Sequence, residues 1–248
     1  YIGDRDCTNV LVDCLEKLEY RGYDSAGIAV LDQGVIKVSK CKGRLSNLRD
    51  KMEREGKPKG YVGIGHTRWA THGEPSIVNA HPHVSGNCTG SGSGTVESEV
   101  VGVHNGIIEN YQELKDKLVR HGYSFYSQTD TEAAVKLVDY YYKKYKMGPV
   151  DAIAKAMVRI RGSYALEIMF SDFPDEIWVA RKESPMIIGI NGEESFIASD
   201  VPAILKYTRD VYYIDNLEFA CVKPGEVHFY NLDGDEVSKE TVQISWDA

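Results

Sequence analysis

The last third of the chain consists of short strand-like runs separated by turn residues, and this pattern limits the fold most. Runs rich in β-branched and aromatic residues predict strands at 164–170, 176–180, 186–190, 196–198, 211–214, 219–222, 227–230 and 237–244. Asp233-Gly234 predicts a hairpin between the last two. Strands that follow one another through hairpins form antiparallel sheets, and helices must cover the outer faces of those sheets. With no internal repeat or second linker visible, we expect one domain of this kind.

Helices are predicted mainly in the first 160 residues, at 7–19, 45–52, 109–121, 130–147 and 151–160. A hairpin at 28–38 turns through Asp32-Gln33-Gly34. Thr129 and Glu132 have the spacing of a capping box, which predicts a helix that begins there and ends at Gly148. Cys7 and Cys14 fall on the apolar stripe of the first helix and are expected to be core residues.

Composition narrows the class of protein. The chain has 37 acidic and 29 basic residues and a formal charge of -8, which argues against a nucleic-acid binder. No apolar run reaches the 18 or so residues that a membrane span needs, so no membrane partner is expected. Five cysteines, without metal-type or disulfide-type spacing, suit a reducing compartment. We therefore expect a soluble, cytoplasmic protein.

The stretch H-T-R-W-A-T-H-G-E at 66–74 follows a short apolar strand at 61–65. We expect the strand to deliver these side chains into a loop, where binding residues are commonly positioned. The guanidinium group of Arg68 can bind a carboxylate through two parallel hydrogen bonds. The alternative is that Arg68 forms an ion pair with one of the many acidic residues.

Two later positions also allow a structural and a functional interpretation. Asn105-Gly106 follows a strand at 100–103 and is typical of a turn, but an amide side chain beside a glycine N–H can also form an oxyanion hole. Asp130 lies in the first turn of its helix, where a carboxylate favours the helix dipole, or it can bind a cationic group.

Two further features offer no site of their own. A metal hydrolase is one interpretation of the five histidines His66, His72, His81, His83 and His104. Because neither an H-E-x-x-H motif nor a cysteine pair accompanies them, we expect no metal. The Gly/Ser alternation at 90–94 is typical of a flexible connector, either native or engineered. It lacks the lysine of a phosphate-binding loop, so we assign it no ligand.

Five motifs occur in register along the chain, at 20–27 (Y-R-G-Y-D-S-A-G), 66–75 (H-T-R-W-A-T-H-G-E-P), 79–83 (N-A-H-P-H), 104–111 (H-N-G-I-I-E-N-Y) and 128–132 (Q-T-D-T-E). Together they resemble the glutaminase domain of the glutamine–fructose-6-phosphate aminotransferase (glucosamine-6-phosphate synthase) family, over essentially the whole chain. The resemblance implies an α+β fold of the N-terminal-nucleophile hydrolases, a four-layer αββα sandwich of two stacked, mainly antiparallel sheets.

The resemblance also implies an activity and a set of residue roles. In this family glutamine is hydrolysed to glutamate and ammonia without a cofactor, by an N-terminal cysteine whose own α-amine is the general base. Arg68 would bind the α-carboxylate of glutamine and Asp130 its α-ammonium group, while Asn105 and Gly106 would form the oxyanion hole. Six further residues would lie around the site: Trp69, Thr71, His72 and Gly73 in a closing loop, and Arg21 and Gly22 near the nucleophile.

The chain departs from this family at its first residues. The family has C-G-I-V-G directly before the segment that matches Tyr1-Ile2-Gly3, and Cys7, Cys14, Cys41, Cys88 and Cys221 match no nucleophile position. We expect 1–248 to be one glutaminase domain that lacks its nucleophile residues and, as printed, binds glutamine weakly without hydrolysing it. The sugar-isomerase domain of the full-length family polypeptide, expected to be a homo-oligomer, would lie beyond Ala248. A non-catalytic glutamine-binding module and an amidotransferase serving another acceptor remain alternatives.

Overall fold

Five helices lie in the part of the chain that the computed structural model describes, residues 1–86, 94–96, 100–146 and 148–247. They are α1 (Cys7–Glu16), α2 (Leu45–Glu55), α3 (Tyr111–Arg120), α4 (Asp130–Tyr145) and α5 (Pro149–Arg159). Each predicted helix is confirmed, with ends shifted by a few residues. No helix among these residues is long and apolar enough to cross a membrane. Cys88 and positions 90–93 of the predicted connector lie outside the described residues.

The strands, in chain order, are β1 (Ser25–Asp32), β2 (Val35–Lys42), β3 (Gly63–Arg68), β4 (His83–Val84), β5 (Gly94–Val96), β6 (Val100–Ile108), β7 (Gly162–Phe170), β8 (Ile177–Lys182), β9 (Ile187–Asn191), β10 (Glu194–Ala198), β11 (Asp210–Tyr213), β12 (Glu218–Lys223), β13 (Glu226–Tyr230), β14 (Glu236–Val237) and β15 (Val242–Gln243). A seven-stranded sheet has the order β14-β13-β12-β8-β7-β6-β4, and we refer to it as the second sheet. Two four-stranded groups, β3-β1-β2-β5 and β10-β9-β11-β15, form the rest. Every strand pair is antiparallel, as expected.

The segment that begins at Tyr1 joins the two four-stranded groups into one layer, the first sheet. Ile2 pairs with Val62, next to β3, and with Ser195 of β10. The Ile2 and Ser195 backbones exchange hydrogen bonds at 3.0 and 2.8 Å, and the N–H of Gly63 donates to the carbonyl of Tyr1 at 3.0 Å. The first residues therefore occupy an interior position in the sheet, between β3 and β10.

Three apolar clusters show how the layers stack. One packs α1 and α2 against the outer face of the first sheet, and another packs α3, α4 and α5 against the outer face of the second sheet. The third fills the space between the sheets, with Ile2, Ile64, Val103 and Met169 among its members. The order is therefore helix, sheet, sheet, helix, and the expected α+β sandwich of two stacked antiparallel sheets is confirmed.

Two strand predictions were wrong in ways that matter for the site. The strand predicted at 100–103 continues to Ile108, so Asn105 and Gly106 pair with β7 and do not form a turn. The strand predicted at 237–244 is instead two short strands, β14 in the second sheet and β15 in the first. A run of suitable residues predicts extended backbone, but it does not reveal where the chain crosses between layers.

The helix α4 begins at Asp130 as predicted, but its predicted capping box and its predicted end at Gly148 were wrong. The carboxylate of Glu132 does not return to the N–H of Thr129, as a capping box requires; it accepts from the N–H groups of Tyr126 and Ser127 at 2.9 and 2.7 Å. At the other end, Lys146 takes the left-handed conformation at φ 48°, so the helix stops before Gly148. The start of α4 is thereby anchored to the segment that precedes it.

Candidate active site

A cavity of about 290 Å³ opens between the two sheets beside α4. Seven of the ten predicted site residues line it: Arg21, Arg68, Trp69, Thr71, Asn105, Gly106 and Asp130. Tyr1 and Ile197 lie on the wall formed by the first sheet, and Ala165 and Glu167 on the wall formed by the second. The cavity therefore brings together side chains from both sheets, the start of a helix and the first residue of the chain.

Arg68 is the last residue of β3, so the expectation that this part of the stretch at 66–74 forms a loop was wrong. Its side chain is on the same face of the strand as Ile64, which belongs to the cluster between the sheets. Nη2 donates to the carbonyls of His72 and Gly73, while Nη1 has no partner among the described residues. Burial lowers the pKa of Arg68, and Asp130 and Asp24 oppose this shift. A buried guanidinium group thus keeps one side unpaired near the cavity.

Gly22 supports Arg68 from behind and does not line the cavity. A Cβ atom at Gly22 would lie 2.6 Å from the backbone carbonyl carbon of Arg68, so only glycine allows this close approach. The N–H of Asp24 donates to the carbonyl of Arg68 at 2.9 Å and fixes the same contact. The neighbouring Arg21 donates to Ser199 Oγ at 3.1 Å, at the cavity rim.

The loop after β3 carries the remaining predicted residues. Trp69 is 57% exposed and meets Tyr23 edge to face at 5.4 Å between ring centroids. Thr71 is exposed at the cavity rim. His72 and Gly73 are half-buried, and their carbonyls accept hydrogen bonds from Arg68. Neither residue lines the cavity.

Asn79 ties this loop to the segment that precedes α4. Its amide Nδ2 donates to the carbonyl of Glu74 at 3.0 Å, and its Oδ1 accepts from the N–H of Gln128 at 2.9 Å. The loop is therefore held at its far end, while its tip remains exposed beside the cavity.

Asn105 and Gly106 lie in β6, opposite Ala165 and Tyr164 of β7. Gly106 has φ 119°, and a Cβ atom there would lie 2.2 Å from the carbonyl oxygen of Ser163. The strand therefore takes a local conformation that only glycine accommodates, next to an asparagine that shares its face with Val103. The sequence indicated the pair, but not that a strand would carry it.

Asp130 opens α4, and one carboxylate oxygen accepts from the N–H of Ile108 at 2.9 Å. This bond links the helix to the end of β6, the strand that carries Asn105 and Gly106. Asp130 is buried and lines the cavity, so its charge faces the same space as Arg68. The helix-dipole interpretation and the binding interpretation are thus compatible.

Three buried histidines and the half-buried His66 form a polar group at the cavity, which His66, His81 and His104 line. His66 and His81 stack with ring centroids 4.1 Å apart, and His104 contacts Thr131 Oγ1 at 3.0 Å. Burial lowers the pKa of His66 to about 4 and holds the pKa values of His81, His83 and His104 below the ordinary value. In the described residues, no three histidine, cysteine or carboxylate side chains are grouped to hold a metal ion.

His66 and Glu167 also line the cavity, and neither was among the predicted site residues. His66 Nε2 lies 2.7 Å from Asn105 Oδ1, a contact between the two sheets. Only its position two residues before Arg68, on the same strand face, could have indicated this. Glu167 faces the cavity from β7 and has its pKa raised to about 7 by burial, with the α-ammonium group of Tyr1 acting in the opposite direction. No sequence motif indicated Glu167.

The cysteines in the described residues do not provide a nucleophile for this cavity. Burial raises the pKa of Cys7 to about 12, of Cys14 to about 11 and of Cys221 to about 12, and it also raises the pKa of Cys41. A thiol that stays protonated near neutral pH is a poor nucleophile. Cys7 is a buried core residue, as expected, whereas Cys14 is half-buried and lines the cavity.

Comparison with known proteins shows similarity to glutamine amidotransferases. Residues 93–206 match the model of a glutamine amidotransferase domain. The chain is 51% identical over its whole length to glutamine–fructose-6-phosphate aminotransferase (isomerizing) of Clostridium acetobutylicum, and 44% identical over 99% of its length to the enzyme of that name from Pyrococcus horikoshii. It spans 38% and 39% of the lengths of these two relatives.

Solved structures agree on the fold. Glutamine phosphoribosylpyrophosphate amidotransferase from B. subtilis superposes on 93% of the chain with a TM-score of 0.76 at 23% identity, and the match covers 48% of that protein. A structure described as the allosteric regulatory enzyme of purine biosynthesis gives 0.75 at 24% identity, with the same two coverages. Residues 93–206 are thus similar in sequence to a glutamine amidotransferase domain, and the chain shares its fold with these two solved structures.

Proposed function

We propose that this domain hydrolyses the side-chain amide of L-glutamine to glutamate and ammonia. The observation that carries the proposal is that Arg68, Asp130, Asn105 and Gly106 face one cavity from three different elements. The guanidinium group of Arg68 suits the α-carboxylate of the substrate, and Asp130 suits its α-ammonium group. Two opposite charges at a fixed separation select a free amino acid over a glutamine within a peptide. Trp69, Thr71, His72 and Gly73 belong to the loop that would close over it.

The pairing of Ile2 indicates where the nucleophile would enter. Ile2 lies opposite Val62 in antiparallel register, which places Tyr1 opposite Gly63. Each step back along the chain from Tyr1 would therefore correspond to one step forward along β3. A strand continued in this way would bring its fifth residue before Tyr1 opposite Arg68. That is the position of the cysteine in the C-G-I-V-G sequence of the related family. Ile2 faces the space between the sheets, and by alternation so would that cysteine.

The chemistry then follows the N-terminal-nucleophile pattern. The cysteine thiol, deprotonated by its own α-amine, would attack the amide carbon and form a tetrahedral oxyanion. The Asn105 amide and the Gly106 N–H would donate to this oxygen. Collapse would expel ammonia and leave a thioester, which water hydrolyses to glutamate and free thiol. Free thiols and α-amines titrate near pH 8, so the two groups are well matched.

The similarity to longer aminotransferases supports a role in a larger polypeptide. We propose that residues 1–248 are its glutaminase domain and that a sugar-isomerase domain of the same chain uses the ammonia to convert fructose 6-phosphate to glucosamine 6-phosphate. In this view the enzyme is cytoplasmic and homo-oligomeric. Arg21 and Gly22 would lie near the nucleophile.

Glutamate and ammonia release from L-glutamine, measured on the protein with its complete natural N-terminus, tests the proposal. We expect both products in equal amounts, and none from a variant with serine at the N-terminal cysteine. Calorimetry with glutamine identifies the main alternative, because tight binding without ammonia release would select a non-catalytic module. If fructose 6-phosphate does not stimulate ammonia release by the full-length enzyme, that result would favour another acceptor.

A further inference from the structure

The side chain of Asn105 makes a single hydrogen bond in the part of the chain that the structure describes. Its Oδ1 lies 2.7 Å from Nε2 of His66, across the gap between the two sheets. Its Nδ2 group has no protein partner there, and the residue is half-buried on the cavity wall. The orientation of the amide therefore depends on His66.

The surroundings of His66 determine which of its nitrogens carries the proton. The ring is stacked on His81 with the two planes 13° apart, and its Nδ1 is buried without a partner. Burial lowers the pKa of His66 to about 4, so the ring is neutral near pH 7. A buried N–H without an acceptor is rarer and costs more than an unpaired lone pair, which favours the proton on Nε2.

The tautomer in turn fixes the amide. With the proton on Nε2, His66 donates to Asn105 Oδ1, and the Nδ2 hydrogens must point into the cavity. With the proton on Nδ1, Nε2 would accept from Nδ2, and Oδ1 would face the cavity. An oxygen in that position would repel an oxyanion, whereas an N–H group stabilises one.

We propose that His66 is a positioning residue that holds the Asn105 amide with its N–H group toward the reacting carbonyl. This inference rests on the proposed glutaminase function and adds a residue to it. His66 lines the cavity, but in this role it acts through Asn105 and not by binding the charged groups of glutamine. Its loss should therefore lower kcat and leave the KM for glutamine, which Arg68 and Asp130 would set, nearly unchanged.

The kinetic test uses the full-length enzyme with its natural N-terminus. His66→Phe keeps the stacked ring but removes the donor, and we expect kcat to fall about 10- to 100-fold, below the ~10²–10³ typical of losing an oxyanion donor. His66→Gln offers an amide N–H and should recover part of the loss. His83→Phe is the control, since His83 is a buried histidine with a lowered pKa that contacts Tyr126 and Thr129 and not Asn105.

A double-mutant cycle separates positioning from a general structural effect. If His66 acts through Asn105, then His66→Phe should add less than about threefold to the loss caused by Asn105→Ala. Losses that multiply, or an equal loss of kcat in His83→Phe, would overturn the inference. A wild-type enzyme that releases no ammonia, or an Asn105→Ala enzyme with full kcat, would instead overturn the function or the oxyanion assignment itself.

A direct measurement does not depend on any variant folding or on activity. The ¹⁵N chemical shifts of the His66 ring in wild-type residues 1–248 report its tautomer. We expect a protonated Nε2 and an unprotonated Nδ1 at pH 7. A ring protonated on Nδ1, or on both nitrogens, would contradict the proposed orientation of Asn105.

Discussion

Asp130 accepts a hydrogen bond from the backbone N–H of Ile108 at 2.9 Å, and this contact ties the start of α4 to the end of β6. The bond occupies Oδ2, while the residue also lines the cavity. Asp130 therefore has a structural contact on one oxygen and keeps the other available. The same carboxylate aligns the helix with the strand that carries Asn105 and Gly106 and places a negative charge beside them.

Asp130→Asn separates these two contributions. Asparagine can still accept from Ile108 through its oxygen, but it lacks the charge that would pair with the α-ammonium group of glutamine. A charged hydrogen bond contributes about 1.5–3 kcal/mol, so we expect the KM for glutamine to rise roughly 10- to 100-fold. Asp151→Asn is the control, because Asp151 lies in the first turn of α5, away from the cavity. Unchanged steady-state kinetics in Asp130→Asn would remove Asp130 from the binding site.

Arg68→Lys tests the carboxylate contact. A lysine has a single ammonium group and cannot form two parallel bonds to a carboxylate, nor can it keep both contacts of Arg68 with the loop carbonyls. We expect the KM for glutamine to rise about 10- to 100-fold, measured by ammonia release. Arg161→Lys, which alters an exposed pair with Glu113, should behave as wild type. Wild-type glutamine kinetics in Arg68→Lys would mean that another residue binds the carboxylate.

Gly106→Ala should damage both stability and activity. The added methyl group would lie 2.2 Å from the Ser163 carbonyl oxygen, at a φ of 119° that alanine rarely adopts. We expect the free energy of unfolding in urea to fall by roughly 1–3 kcal/mol or more. Gly148→Ala is the control, because a Cβ atom there has no neighbour within 4 Å and its φ is -64°. Equal stability of the two variants would show that β6 tolerates a side chain at Gly106.

The buried histidines should make the fold sensitive to acid. Their pKa values are lower in the folded protein than in the unfolded chain, so the unfolded chain binds more protons below pH 6.5. The contribution of these histidines to the free energy of unfolding is therefore fully present above pH 6.5 and is lost as the pH falls toward about 4. His83→Phe should reduce the slope of unfolding free energy against pH by up to about one proton, roughly 1.4 kcal/mol per pH unit.

His228→Gln serves as the control for that slope. Hydrogen bonds that His228 donates to the carboxylates of Glu236 and Glu226 raise its pKa, so removing His228 cannot make the acid dependence shallower. If the slope of unfolding free energy against pH is the same in wild type and His83→Phe between pH 4 and pH 6.5, then His83 is protonated without opening the fold.

Glu167 should have the opposite pH dependence. Burial raises its pKa to about 7, so the folded protein binds more protons than the unfolded chain between about pH 4.5 and pH 7. The contribution of Glu167 to the free energy of unfolding is most favourable below pH 4.5 and is lost as the pH rises to 7. We expect Glu167→Gln to exceed wild type by roughly 1–3 kcal/mol of unfolding free energy at pH 8, with the difference vanishing near pH 4.5. A variant less stable than wild type at pH 8 would indicate a favourable partner for the carboxylate.

The sequence predicted the layers well because they depend on local patterns. The hairpin at 28–38 and the helix that begins at Cys7 follow from turn residues and apolar spacing alone, and both are confirmed. Glu132 shows where local patterns fail. It has the spacing of a capping box, but Ser127 and Tyr126 offer their N–H groups from a segment whose path depends on the tertiary fold.

The candidate site was predictable only as a set of motifs. Arg68 and Asp130 are 62 positions apart in sequence, and nothing in local spacing shows that both face one cavity. The resemblance to a family supplied that grouping. It did not supply His66, because the contact of His66 with Asn105 arises from the stacking of two sheets, which a single strand pattern does not encode.

The pairing of Ile2 on both sides has a consequence for how the chain folds. Tyr1 and Glu194 meet although they are 193 positions apart, so the first sheet is complete only after a very large loop has closed. Such distant contacts slow folding, because the entropy of loop closure is lost before the contact forms. The centre of the first sheet should thus be the last part of the layer to become protected from hydrogen exchange during refolding. The domain would assemble the cavity between its sheets as one of its final events.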